Sequence, residues 1–161
     1  MMQFGMQGRG VRFAAVIAGT LLLAACAQTK PDGLTGNVQP GTGQDFVVNV
    51  GDRVFFGNDQ TTLSSQATAT LDKQVRWLQS YGRYTVTIEG HADERGTRQY
   101  NIALGARRAN AVRDYLVSRG ISASRVKTIS YGKERPVAVC NDESCWTQNR
   151  RAVTVLDNAG S

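Results

Sequence analysis

Two stretches of the chain repeat apolar residues at helical spacing, and several shorter ones alternate as strands do. Ala67, Leu71, Val75 and Leu78 share one side of a helix that Ser64 is placed to cap. A second helix runs from about Arg98 to Ser118, with Leu104, Val112 and Leu116 along one stripe and Gly120 at the C-terminal cap. "YTVTIEG" (84–90) alternates cleanly, and "VKTISYG" (126–132) and "RAVTVLD" (151–157) read as further strands. The β-branched and aromatic runs "FVVNV" (46–50) and "RVFF" (53–56) flank Gly51 and Asp52 and are also consistent with strands. The order strand, helix, strand, helix, strand, strand predicts an α+β sandwich: one mixed sheet with the helices packed on one face.

One position breaks the pattern. Successive steps of four drift only slowly round a helix, so Arg108 falls on the same stripe as Leu104 and Val112. Burying an unpaired charge costs several kcal/mol, so Arg108 needs either a partner or a ligand. Asp93, in the loop between the 84–90 strand and the helix, is the nearest candidate. The two could close an internal salt bridge. Alternatively they stand side by side facing outward and hold a zwitterion, Arg108 gripping its carboxylate and Asp93 its ammonium.

The segments before residue 45 have a different character. Arg9 and Arg12 precede "FAAVIAGTLLLAAC", an apolar run ending in small residues before Cys26, which is the layout of a secretory signal over residues 1–25. The run is short for a membrane span, which needs ~20 apolar residues. "LAAC" resembles the lipobox of bacterial lipoproteins, which implies acylation at Cys26. Residues 26–44 are rich in Gly, Pro and Thr and read as a flexible tether with a reach of roughly 23 Å. Residues 158–161 form a short tail. Export places Cys140 and Cys145 in an oxidising compartment, where a disulfide is favoured over a zinc half-site that lacks a second ligand pair.

Charge narrows the partners only a little. The net charge is +6, and removing Arg9 and Arg12 leaves 17 basic against 13 acidic residues, about +4. That is too weak and too mixed in sign to argue for nucleic acid.

The opening pattern carries a resemblance. Asn101, Leu104, Arg108, Ala109, Val112 and Leu116 at their spacing resemble the peptidoglycan-associating motif of OmpA-like domains. "EGHADERGT" (89–97), "SYGKERP" (130–136) and "QNRRAV" (148–153) resemble the peptidoglycan-associated lipoprotein family in particular, over residues 45–157. The resemblance implies non-covalent recognition of meso-diaminopimelate in the peptidoglycan stem, with Asp93 and Arg108 as the main ligand-holding positions. It implies a third aspartate at Asp59, loop contacts from Arg95, Gly96 and Thr97, and Asn101 and Leu104 flanking the pocket. It further implies an outer-membrane protein facing the periplasm, TolB and TolA of the Tol–Pal system as partners, and a role in envelope constriction at division. The sequence departs from many relatives at Asn58, where an aromatic residue is common.

The remaining conspicuous residues have plain readings. His91, the single histidine, is structural rather than a metal ligand. Arg107 is a solvated surface charge, and Arg150 and Arg151 are expected at the surface before a strand. Asn101 either orders the loop or touches the ligand. Trp77 and Trp146 pack or sit at an interface. A wall-lytic enzyme fits poorly: Asp93 and Glu94 are adjacent in one loop beside an arginine that keeps them ionised, and no nucleophile accompanies the histidine. No cofactor is implied.

Overall fold

Ser64 accepts a hydrogen bond from Ala67 N, capping helix α2 (Ser65–Ser80), which buries Ala67, Leu71, Val75, Trp77 and Leu78. Thr97 caps helix α3 (Arg98–Ser118) in the same way, accepting from Tyr100 N. Helix α3 ends where Gly120 takes φ 96°, and Gly120 N and Ile121 N donate to Val117 O and Leu116 O. This is a Schellman stop that a residue with a Cβ would strain.

The computed structural model describes residues 38–157. The expected signal segment, Cys26, the tether up to residue 37 and the tail 158–161 lie outside them. Four strands, β1 (Arg53–Phe55), β2 (Val86–His91), β3 (Val126–Gly132) and β4 (Arg151–Leu156), form one sheet in the order β1-β4-β2-β3. Strand β4 is antiparallel to β1 and β2, and β2 is parallel to β3, so the sheet is mixed as the sequence order implied. Val54, Val86, Ile88, Val126 and Ala152 from the sheet meet Leu71, Leu78, Ala109, Val112 and Leu116 from the helices in one core. Among the described residues no helix is long and apolar enough to cross a membrane.

Residues 46–50 correct the sequence reading. They form a π-helical turn, Phe46–Val50, following a short helix α1 (Gly43–Asp45). The Val-rich run favours a strand locally, but one buried carboxylate overrides it. Asp45 accepts bonds from Gly41 N (2.8 Å), Asn49 Nδ2 (2.8 Å) and Trp77 Nε1 (2.8 Å), and Phe46 packs against Trp77 at a 60° tilt with ring centroids 4.9 Å apart. Gly41 O also accepts from Tyr84 OH at 2.8 Å, so the packed domain begins several residues before position 45.

Helix α4 (Glu143–Asn149) was not anticipated, because seven residues are too few to show a period. Asp142 caps it by accepting from Ser144 N at 2.8 Å, and the Cys140–Cys145 disulfide closes the turn that leads into it.

Helix α3 sits close against β2 and β3. A Cβ built on Gly90 would stand 1.8 Å from Gly105 O, and one on Gly105 would stand 2.4 Å from Ser130 Oγ. The two glycines let the helix backbone press directly on the strand. That contact sets the height of Asn101, Leu104 and Arg108 over the strand ends.

Candidate functional site

The loop from Ala92 to Thr97, joining β2 to α3, is tied down on several sides. Ala92 N donates to Gly132 O (2.8 Å), and Lys133 Nζ donates to Glu94 O (3.1 Å) and Gly96 O (2.8 Å). Asn101 Nδ2 donates to Arg95 O (2.7 Å), so the loop-ordering role left open for Asn101 is present. Between this loop, the 57–60 turn and α3 lies a cleft of about 250 Å³, lined by Asn58, Asp59, Asp93, Arg95, Gly96, Tyr100, Asn101, Leu104 and Arg108.

Arg108 has no exposed surface and is the largest fully buried side chain among the described residues. Its Nε donates to Gln60 O (2.9 Å), its Nη1 to His91 O (2.8 Å) and its Nη2 to Gly57 O (3.0 Å). The guanidinium thus ties the β2 end to the 57–60 turn. A guanidinium has five N–H groups, so two remain beyond these three bonds. Among the described residues no carboxylate lies within ion-pair distance of Arg108. Burial pushes its pKa down to about 10, which leaves it charged at neutral pH. A buried cation bonded only to neutral carbonyls, at the wall of a cleft, is the feature that asks for an anion.

Asp93 is 7% exposed and is engaged elsewhere. Its Oδ2 meets Arg95 Nη2 at 2.6 Å and Arg150 Nη1 at 3.4 Å, while Oδ1 accepts from Arg95 N and Nε, both at 3.2 Å. Burial pushes the carboxyl upward, but the bonds from Arg95, side chain and backbone, together with Arg150 outweigh it and hold the group below the usual carboxylate range. The expectation of two outward-facing charges side by side is therefore corrected. Both are buried, and neither is paired with the other. Each instead reaches the same cleft from a different wall.

Asp59 contributes a second carboxylate, held with φ 53° and hydrogen-bonded by Tyr100 OH. Aspartate tolerates the left-handed region better than most residues. Leu104 supplies an apolar wall. Thr97 does not line the cleft, because its hydroxyl is spent capping α3 (Tyr100 N, 3.2 Å).

Sequence reasoning missed two participants, Tyr100 and Arg150, and left open what Asn58 contributes. Tyr100 lines the cleft and had no pattern to mark it. Asn58, noted in the sequence as a departure from the resemblance, accepts from Arg95 Nη2 at 2.7 Å. Arg150, expected at the surface, is 4% exposed, bonding Phe56 O (3.2 Å), Glu143 and Asp93. Arg151 is corrected likewise: it is buried, with bonds to Asn149 O (3.4 Å) and Arg135 O (3.2 Å). Arg107 is exposed as expected. Trp77 sits in the core, and Trp146 lies under the Arg95 guanidinium at 4.0 Å.

His91 is buried with both ring nitrogens lacking a partner; Glu89 Oε2 is 3.7 Å away. Burial first, then the charges of Arg151, Arg135 and Arg53, push its pKa down to about 4. Unfolded histidine titrates near 6.5, so between roughly pH 6.5 and 4 the unfolded chain binds a proton that the folded one refuses, and stability falls as pH falls. By pH 5 this group alone should remove about 2 kcal/mol. Urea midpoints at pH 7 and 5 should show that loss, and His91→Gln should lack it.

Cys140, Asp142 and Cys145 bring possible metal-ligand atoms within 4.8 Å of one another, but the two sulfurs are joined as a disulfide.

The sheet, the helix faces and the cleft at the strand–helix junction define a family. Residues 55–151 match the OmpA family. A peptidoglycan-associated lipoprotein from Rhizobium meliloti is 63% identical over 150 residues, covering 88% of this chain and 85% of the relative. One from Pseudomonas aeruginosa is 37% identical over 168 residues, covering 94% and 96%. The crystal structure of the peptidoglycan-associated lipoprotein from Burkholderia pseudomallei matches with a TM-score of 0.64 at 41% identity, over 65% of this chain and 89% of that one. The chain belongs to the OmpA family and, within it, to the peptidoglycan-associated lipoproteins.

Proposed function

We propose that the protein binds peptidoglycan non-covalently by taking the meso-diaminopimelate head of the stem peptide into the 57–60, 93–97 and α3 cleft. The observation that carries this reading is Arg108: a buried guanidinium with two N–H groups to spare at the wall of a cleft that also holds Asp93 and Asp59. In this reading the ligand carboxylate meets Arg108 and its ammonium meets Asp93, with Asp59 as a second acceptor. Arg95, Gly96 and Asn101 shape the loop side, Thr97 holds that loop by capping the helix, and Leu104 packs the aliphatic chain. A carboxyl held below its usual range is poorly suited to act as a general acid, which favours binding over acid catalysis here. Membership in a family of structural wall-binding lipoproteins agrees with a tether and not an enzyme.

The direction of the domain supports an anchor-to-wall role. The chain enters beside Tyr84, just ahead of β2, while the cleft opens beyond His91, its last residue. Six strand residues span roughly 20 Å, so Gly41 and the cleft lie toward opposite ends of the sheet. TolB and TolA, the partners that the resemblance implies, are part of this proposal, with a role in envelope constriction at division.

Asp93→Asn should reduce retention on diaminopimelate-containing sacculi about tenfold or more, as loss of a charge-assisted bond predicts. Undiminished retention by a folded variant, with the sacculi left intact, would remove Asp93 from the site; release of soluble wall fragments would overturn the non-enzymatic reading.

A further inference from the structure

We infer that Arg95 is the exchangeable occupant of the Asp93 subsite and Arg150 its permanent positioning partner, so that a cationic ligand binds by replacing the Arg95 guanidinium. This rests on the function proposed above and adds how the site is kept before the ligand arrives.

The two arginines on Asp93 are built differently. Arg150 is 4% exposed and fixed from three directions, by Phe56 O, Glu143 and Asp93. Its backbone is also bound, since Phe56 N donates to Arg150 O at 2.8 Å. Arg95 has 37% of its side chain exposed and stands on the loop itself. Its guanidinium spans Asp93 and Asn58 while its flat face covers the Trp146 ring at 4.0 Å. Its backbone N bonds Asp93 Oδ1 independently, so the loop keeps one tie to the carboxylate after the side chain leaves.

Physical necessity explains the arrangement. An ionised carboxylate that is nine-tenths buried requires cationic partners. Arg150 alone, at 3.4 Å and shared with Glu143, compensates it only in part. Arg95 completes the pairing as a tethered cation at high effective concentration. When a ligand ammonium takes its place, one cation is exchanged for another and the charge around Asp93 is unchanged. The net gain must then come from the rest of the ligand, chiefly a carboxylate reaching the free N–H groups of Arg108. A lone amine gains little from the exchange. The resident arginine therefore acts as a threshold that simple cations fail to cross.

Occupancy also scales the apparent affinity. If Arg95 fills the position nine-tenths of the time, a competing ligand binds about tenfold more weakly than to the vacated site. The test uses the full mature chain and the tripeptide L-Ala-γ-D-Glu-meso-diaminopimelate, measured by calorimetry. Arg95→Ala should tighten binding about tenfold, and Asp93→Ala added to it should erase the gain. Unchanged or weaker binding in Arg95→Ala would overturn the exchange while leaving the cleft assignment standing; no binding by the unaltered protein would overturn the cleft assignment instead. In ¹⁵N spectra the Arg95 Nε–H signal should shift toward that of free arginine as tripeptide saturates, and a stationary signal at saturation would refute displacement. For Arg150, Arg150→Gln should raise the pH at which acid abolishes binding, because Asp93 loses a cation, and Arg150→Lys should restore it. An unmoved midpoint would deny Arg150 the positioning role.

Discussion

Arg108→Ala should abolish sacculus binding and also cost about 4 kcal/mol of stability, near the middle of the range for breaking buried charged networks. An exposed pocket charge would contribute almost nothing to folding. Arg108 is not one. Three backbone carbonyls from two separate segments, Gly57, Gln60 and His91, depend on its N–H groups. Removing them takes a charged donor from each oxygen, though Gly57 O keeps Gln60 N at 3.2 Å, and opens a cavity the size of an arginine side chain; hydrogen bonds to charged groups are worth about 1.5–3 kcal/mol apiece before cavity costs. Arg108→Lys should lose much of the same stability, since an ammonium on a flexible stem reproduces neither the fork nor its reach to three carbonyls. Urea unfolding of both variants, beside binding measured at a temperature where they remain folded, separates the two losses. Wild-type urea midpoints in both would show that the carbonyl clamp contributes nothing to stability.

That dual role explains why the opening puzzle of the sequence was legible only in part. The stripe through Leu104, Val112 and Leu116 announced that Arg108 points inward, and it does, with no exposed surface. The pattern could not announce three carbonyl partners, because backbone acceptors leave no trace in residue identity. The same holds for Asp93, whose sequence neighbour Arg95 turned back onto it and whose distant neighbour Arg150 arrived from 57 positions away. Helices α2 and α3 and the three long strands were readable, since each buries one face over enough residues to display a period. Residues 46–50 were not, because the Asp45–Trp77 bond that decides their conformation spans 32 positions and outweighs β propensity. Short helix α4 escaped for the same reason that small elements generally do: its stability lies in Asp142, the disulfide and Arg150, none of them periodic.

Gly90→Ala should be the most damaging single-methyl change in the domain and should act on the site without touching it. A new Cβ at 1.8 Å from Gly105 O cannot be relieved by rotating a side chain, because the obstacle is backbone. Either α3 lifts from β2 or the strand bends, and the core formed by Ile88, Ala109 and Val112 loosens in both cases. Overpacking of this kind costs about 3 kcal/mol at the upper end of its usual range. The functional loss should exceed what stability alone explains. Arg108 sits less than one turn beyond Gly105 on α3, and His91, whose carbonyl it binds, directly follows Gly90. Lifting the helix by even 1 Å would stretch that bond and swing the guanidinium away from the anion position. Gly82→Ala is the control: a Cβ there meets nothing within 4 Å, so stability should stay level or rise by roughly 0.4–1 kcal/mol with binding intact. Should Gly90→Ala instead melt and bind like the unaltered protein, the close seating of helix on strand would not be what aligns the cleft.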